Sequence, residues 1–116
     1  MPMIRVQLSC QLEGPALSGL MKQLSSTVAG ALGKPESYMM VVVDQQIPIL
    51  MAADDAPAAL VEVRSVGSIS DQQARDISAR VSGLLGESAG IGPDRVYANF
   101  MGVPGAMWGY NGGTFG

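Results

Sequence analysis

A pattern that occurs twice is the feature that most limits how this chain can fold. Each half contains an apolar strand, an amphipathic helix, a proline followed by an acidic residue, and a second apolar strand. The two pairs, Pro35-Glu36 and Pro93-Asp94, are separated by half the length of the 116-residue chain. A strand, a crossover helix and a second strand form a βαβ unit. The repeat therefore predicts two such units related by a pseudo-twofold axis.

The first half shows each part of this unit. Apolar and polar residues alternate from Ile4 to Leu8, which is typical of a strand with one apolar face. Apolar residues then recur at helical spacing between Gly14-Pro15, which suits a first helical turn, and Gly33, which suits a helix end. The continuous apolar run from Tyr38 to Val43 predicts a strand buried on both faces, as in a parallel pair.

The second half repeats the order after a connecting segment. A short edge strand is expected at Ile47–Met51, where a proline is compatible only with the edge of a sheet. The alternation from Ala59 to Val66 predicts a longer strand. Ser70 and Gln73 have the spacing of a capping box that opens a second helix. The last long strand is expected from Arg95 to Met101.

These elements predict one α+β domain over residues 1–116, a two-layer α/β sandwich. Right-handed crossovers would place both helices on the same face of a four-stranded sheet. The last strand would turn Tyr97, Asn99 and Met101 towards the uncovered face. We expect that face to be largely apolar, and an apolar surface of that size usually marks association. A small closed oligomer is therefore expected.

Composition excludes several classes of function. The net charge of −3 disfavours a nucleic-acid partner, which would require a basic face. No apolar run approaches the ~20 residues of a membrane span, and the first residues lack the pattern of a signal peptide. We therefore expect a cytoplasmic protein, although non-classical secretion would leave no mark in the sequence. With no histidine and only Cys10, we expect no metal, no cofactor and no internal disulfide.

Pro2 is the candidate catalytic residue. Methionine is generally removed before a small residue, which would leave the nitrogen of Pro2 as a free secondary amine. An α-amino group titrates near 7.7–8.0, and burial lowers that pKa towards a value useful for a general base. The alternative is that this proline merely begins a strand, a position where proline is tolerated.

Several segments make the chain resemble the macrophage migration inhibitory factor family of the tautomerase superfamily. They are Met1 to Ile4, Gly33 to Val41, Ser65 to Gly67, Pro93 to Phe100 and Asn111 to Phe115. The resemblance covers nearly the whole chain. It implies a homotrimer in which three sheets surround a central barrel, with active sites at the subunit interfaces. It also implies keto–enol tautomerisation of phenylpyruvate-like 2-keto acids and, in animal members, a cytokine role.

The resemblance also implies the roles of individual residues. Pro2 would be the general acid and base, while Lys34 and the backbone amide of Val66 would bind the substrate carboxylate. The remaining substrate-binding positions are aromatic or polar: Tyr38, Tyr110 and Phe115, together with Tyr97 and Asn99 from the neighbouring subunit. Each has a simpler explanation. Lys34 suits a helix C-terminus, the aromatic residues suit a core, and Tyr97 and Asn99 suit a half-exposed strand.

The chain departs from animal members of the family at two places. Tyr110 stands where they carry a tryptophan at the rim of the pocket, and Trp108 lies two residues earlier. Ala58 and Val61 replace their Cys-x-x-Cys motif, so we expect no thiol oxidoreductase activity. The alternatives to a tautomerase are a cytokine-like binding protein with vestigial catalysis and a ferredoxin-like structural domain without a site. The sequence offers no support for a particular protein receptor.

Overall fold

The computed structural model of the chain describes residues 1–116, and its order of elements repeats once. In chain order the elements are β1 (Pro2–Leu8), α1 (Gly14–Leu32), β2 (Met40–Asp44), β3 (Ala59–Val66), α2 (Asp71–Ala89), β4 (Val96–Val103), β5 (Gly109–Tyr110) and β6 (Gly113–Thr114). The first six form two βαβ units, and the last two pair as a short antiparallel hairpin. The predicted repeat is therefore confirmed.

The four long strands form one mixed sheet. Their order is β2-β1-β3-β4, with β1 parallel to β2, β3 parallel to β4, and β1 antiparallel to β3. This arrangement places the pseudo-twofold axis between β1 and β3. The helices α1 and α2 pack against each other and share one core with the sheet. The predicted α+β fold, with both helices on one face, is confirmed.

The core lies between the two helices and the central strands. Alternate residues of β1 and β3 point into it, and the apolar stripes of both helices cover them. Its buried members are Ile4, Val6, Leu8, Leu20, Leu24, Val28, Leu32, Ala59, Val61, Val63, Ile77, Val81, Leu85 and Ile91. Neither helix combines the length and the apolar content that crossing a membrane requires.

The helix ends follow the residues that the sequence provides. Helix α1 ends at Gly33, whose φ of 65° is a left-handed conformation that glycine adopts without a steric penalty. Helix α2 opens with the predicted capping box. The Ser70 hydroxyl accepts the Gln73 N–H at 3.0 Å, and the Gln73 side-chain oxygen accepts the Ser70 N–H at 2.9 Å.

Loss of this cap should be measurable. Ser70→Ala removes the acceptor for one N–H of the first turn, and we expect a loss of about 1 kcal/mol in the free energy of unfolding. Ser78→Ala is the matched control, because the same change is made inside the helix, away from its unpaired N–H groups. Urea unfolding of both variants checks the prediction. Equal losses in the two variants would contradict it.

Three local predictions were wrong. Strand β2 is parallel to β1 as expected, but it lies at the edge of the sheet and Met40 is 60% exposed, so it is not buried on both faces. Strand β4 begins at Val96 and continues to Val103, because a 3-10 turn occupies Pro93–Arg95. The expected strand at Ile47–Met51 does not form, although the Ile47 N–H donates to Leu8 O at 2.9 Å.

The segment after Ile47 is held by an arginine instead of a strand partner. The Arg95 guanidinium donates to the carbonyl oxygens of Met51, Asp54 and Ala56 at 2.8 to 3.0 Å. Pro48 has no N–H to give to a ladder. The loop therefore combines hydrogen bonds from this side chain with a backbone bridge between Met51 and Asp54.

The uncovered face of the sheet is more polar than the sequence suggested. Its middle carries Arg5 and Glu62 as direct neighbours, and Arg5 forms an ion pair with Asp44 at 3.0 Å. Met3 and Met101 lie on either side of Arg64 at one end of this face. The expectation of a largely apolar face therefore holds only in part. Charged residues are depleted from the cores of dry interfaces, so we do not expect a uniformly apolar contact across this face.

Candidate active site

A cavity of about 710 Å³ lies at the end of the sheet where β1 begins. Its lining is mostly apolar and aromatic, and Arg64 is the only charged side chain in it. Six methionines contribute: Met1, Met3, Met39, Met40, Met101 and Met107. Methionine side chains are flexible and adapt to irregular ligands. The size and the lining suit a small organic molecule.

Pro2 is one of the residues that line this cavity. It is buried and pairs with Ser65 across β1 and β3. A proline can open a strand because the position needs no N–H donor. The nitrogen of Pro2 is joined to Met1 here as an amide. Removal of Met1 would convert it into a secondary amine at the wall of the cavity.

The carbonyl group of Met1 continues the hydrogen-bond ladder between β1 and β3. The backbone N–H of Val66, the last residue of β3, donates to the carbonyl oxygen of Met1 at 3.0 Å. Removal of Met1 would take away the hydrogen-bond acceptor of the Val66 N–H. This amide N–H would then be free to donate to an oxygen of a ligand, since buried N–H groups are costly to leave unsatisfied.

The electrostatics at the N-terminus favour a neutral amine. Partial burial lowers the pKa of the Met1 amino group below its ordinary value, and the positive charge of Lys34 lowers this pKa further. Both effects disfavour the ammonium form. Lys34 is therefore close enough to act on the amine one residue before Pro2, the predicted base.

The end of helix α1 fixes the position of Lys34. The residue follows the left-handed Gly33, and its N–H donates to Ala29 O at 2.9 Å. The side chain is half-buried and has no carboxylate within ion-pair distance. The ammonium remains available to an anionic ligand. It does not line the cavity wall in this chain but lies within electrostatic range of the N-terminus.

The aromatic residues of the prediction gather at the same cavity. Tyr38, in the 3-10 turn of Glu36–Tyr38, and Tyr110 both line it. Phe115 does not reach the lining but stacks on Tyr110, with ring centroids 5.8 Å apart. Trp108 lines the cavity as well. The structure therefore places both Trp108 and Tyr110 at the same wall of the cavity.

Two predicted residues lie elsewhere. Tyr97 and Asn99 project from β4 on the uncovered face of the sheet, and neither lines the cavity of its own chain. Tyr97 is 68% exposed. A single chain does not bring them to Pro2, which agrees with the expectation that they would serve a neighbouring subunit. Their role stays a prediction.

Sequence reasoning missed Arg64 and most of the methionines. Arg64 pairs with Met3 on one side and with Met101 on the other, and all three line the cavity. The alternation of β3 places Arg64 on an exposed face, but only the register with β1 shows that it lies beside the N-terminus. The structure has no group of three histidine, cysteine, aspartate or glutamate residues that could hold a metal ion.

Comparison with known proteins identifies the family. A sequence model of the family described as macrophage migration inhibitory factor (MIF) matches residues 1–116. The chain belongs to this family. The MIF of Mus musculus is 39% identical over 98 residues, which are 84% of each protein. The MIF homolog of Trichuris trichiura is 38% identical over 95 residues, 82% of this chain and 83% of the relative.

A solved structure extends the match to the whole fold. The crystal structure of a MIF homologue from Prochlorococcus marinus has a TM-score of 0.92 and 37% sequence identity, and the match covers 98% of this chain and 99% of that one. The resemblance inferred from the sequence is therefore confirmed. Membership supports a function of the MIF type, as a tautomerase or a cytokine-like protein.

Proposed function

We propose that the chain is a keto–enol tautomerase that acts on phenylpyruvate-like 2-keto acids, with Pro2 as its general acid and base after removal of Met1. One observation carries the proposal: Pro2 is buried in the cavity wall, and the neighbouring Val66 N–H donates at 3.0 Å to an oxygen of the residue whose removal would free both groups. A 2-keto acid requires the same arrangement, with a donor for its carboxylate and a neutral base next to it.

The chemistry follows from these groups. The nitrogen of Pro2 takes a proton from the carbon next to the keto group, and the electron pair moves to form the enol double bond. The keto oxygen then receives a proton, and the reverse sequence regenerates the ketone. The Val66 amide and the Lys34 ammonium bind the carboxylate, while Tyr38, Tyr110 and Phe115 form an aromatic wall for the phenyl ring. No cofactor is needed for these proton transfers.

The decisive test is a spectroscopic assay of phenylpyruvate enol and keto forms. The chain should first be weighed by mass spectrometry to establish whether Met1 has been removed. The processed chain should accelerate the conversion in both directions, as a catalyst must. A processed chain without activity on phenylpyruvate and its ring-substituted analogues would overturn the proposal.

The same proposal includes a homotrimer with sites completed at subunit interfaces. Tyr97 and Asn99 lie outside the cavity of their own chain, so a neighbour is needed to supply them. On the uncovered face of the sheet, Met40, Tyr97 and Met101 are each more than half exposed. Such exposure favours association.

Sedimentation at micromolar concentration checks the trimer. We expect a single species of three times the 12.0-kDa chain mass. A closed ring is the expected outcome because an unclosed heterologous contact would continue into filaments. A species of 12.0 kDa alone would contradict the prediction.

A cytokine-like binding protein is the second candidate, because the relatives carry the name of a factor that inhibits macrophage migration. That role would not need a working Pro2. A cell-migration assay with a Pro2→Gly variant separates the two functions, since an effect retained by the inactive variant is binding and not catalysis. In either case we propose a cytoplasmic protein, with non-classical secretion required for the second role.

A further inference from the structure

We propose that Arg64 makes this site selective for 2-keto acids that carry a second anionic group, a carboxylate, at the end remote from the keto acid. The inference rests on the proposed function and names its substrate class more narrowly. Arg64 is the one charged side chain of an otherwise apolar and aromatic cavity.

The surroundings of Arg64 leave its guanidinium available. Its only ionic neighbour is Glu62, two residues earlier on the same strand, with an N–O distance of 3.5 Å and no hydrogen bond. The arginine side chain is 46% exposed. Exposed pairs of this kind contribute little. Arginine offers five N–H donors that match a carboxylate in bidentate geometry, so most of them remain free for a ligand.

Of the four other arginines, only Arg75 has no partner within the chain, and it does not line the cavity. The other three are engaged within the chain: Arg5 with Asp44, Arg80 with Asp76, and Arg95 with backbone carbonyl oxygens. The chain has a net charge of −3, yet its cavity has no acidic residue in the lining. A cavity lined by one sign of charge concentrates ligands of the opposite sign.

The two anion-binding groups lie on one strand. Arg64 and Val66 are two residues apart on β3, which is on the order of 7 Å between their backbone positions. We infer that a ligand built on a phenyl ring can reach from the Val66 amide to the Arg64 guanidinium. Met3 and Met101 flank Arg64 on the neighbouring strands and would contact the apolar part between them.

The test compares two substrates in three variants. The substrates are phenylpyruvate and 4-carboxyphenylpyruvate, which differ only in the remote carboxylate. Arg64→Gln should raise KM for 4-carboxyphenylpyruvate by about tenfold or more, the usual effect of losing a charge-assisted hydrogen bond, and should change KM for phenylpyruvate by less than about twofold. Arg64→Lys, which keeps the charge without the bidentate fork, should restore part of the loss.

Arg75→Gln is the matched control. It removes one cation from the exposed surface of α2, remote from the cavity, and should change KM for neither substrate. The inference is overturned if Arg64→Gln changes KM for both substrates equally or for neither. It is also overturned if Arg75→Gln gives the same change in KM. The first of these results would mean that Arg64 acts on the common part of the ligand or on the fold.

Binding separates a failure of this inference from a failure of the proposed function. Trp108 is the only tryptophan of the chain and lines the cavity, so its fluorescence reports ligand binding without turnover. If the wild-type chain converts neither substrate, the tautomerase proposal fails, but the dissociation constants still test Arg64. A Kd for 4-carboxyphenylpyruvate that rises by about tenfold in Arg64→Gln supports the inference, and an unchanged Kd overturns it.

Discussion

A chain that keeps Met1 should tautomerise phenylpyruvate about 10²–10⁴-fold more slowly than a processed chain, the usual contribution of a general base. Two features of the structure predict this loss. The nitrogen of Pro2 is an amide in the unprocessed chain and has no usable lone pair. The carbonyl oxygen of Met1 also accepts the Val66 N–H at 3.0 Å, where a substrate carboxylate would bind. The retained residue therefore removes the base and occupies one anion-binding donor.

The measurement uses two preparations of the same sequence, one from a host that lacks methionine aminopeptidase. Mass spectrometry establishes the N-terminus of each, and initial rates are compared at one pH. Equal rates in the two preparations would show that Pro2 is not the base.

Pro2→Gly separates the two effects of Met1. Glycine is also small enough for methionine removal, so this variant has a free primary amine and an unoccupied Val66 N–H. It lacks the rigid ring that holds the nitrogen. We expect kcat to fall by about 10²-fold, the lower range for loss of general-base catalysis, while KM changes little because the carboxylate contacts remain. The trimer should persist, which sedimentation can check.

The pH dependence of the processed chain should follow the neutral form of the amine. Burial and then Lys34 lower the pKa of the N-terminal amine in the unprocessed chain. Pro2 would carry its amine one residue further along β1, where we expect the same two effects. Because the neutral base is active, kcat/KM should rise with pH and level off above this lowered pKa. Lys34→Ala should move the rise to higher pH, since it removes a nearby positive charge.

Lys34→Ala should also raise KM for phenylpyruvate by about 10- to 100-fold, with a much smaller change in kcat. The ammonium is half-buried and has no acidic partner, so its interaction with a substrate carboxylate would be lost entirely. A hydrogen bond to a charged group contributes about 1.5–3 kcal/mol, which corresponds to this change in KM. Loss of binding common to the ground and transition states raises KM and leaves kcat nearly constant.

Lys22→Ala is the control for this prediction. Lys22 lies on the exposed surface of α1, so its loss changes the net charge equally without touching the site. An unchanged KM in Lys34→Ala would show that Lys34 is only a favourable cation at the end of a helix. A similar change in Lys22→Ala would show that net charge, and not a contact, governs binding.

Many residues of the candidate active site could be predicted because they lie in short recognisable segments. Pro2 comes directly before an alternating strand pattern, and Lys34 comes directly after the glycine that ends a helix. Both patterns can be recognised from consecutive residues. The resemblance to the MIF family added Tyr38, Tyr110 and Phe115, which the structure brings to one cavity or stacks against it. Arg64 could not be found in this way, since no local pattern indicates that it meets Met3.

The errors have a common physical cause. Tyr38 to Val43 is apolar enough for a strand buried on both faces, yet β2 has a neighbour on only one side. Hydrophobic content indicates that a strand will pair, but it does not indicate how many strands the sheet will contain. At the end of Ile47–Met51 the Arg95 guanidinium donates to the Met51 carbonyl oxygen, which a strand partner would have used, and a contact so distant in sequence has no local signal.

The sequence by itself determined the repeated βαβ order, the apolar faces of β1 and β3, both ends of α1 and the start of α2. These features depend on side-chain periodicity and on the backbone preferences of neighbouring residues. Only the tertiary structure decided that β2 is an edge strand, that Arg64 shares a cavity with Pro2, and that Met1 occupies the Val66 amide. These depend on strand register and on packing between segments. A shift of one residue in register would turn every side chain of a strand to the opposite face.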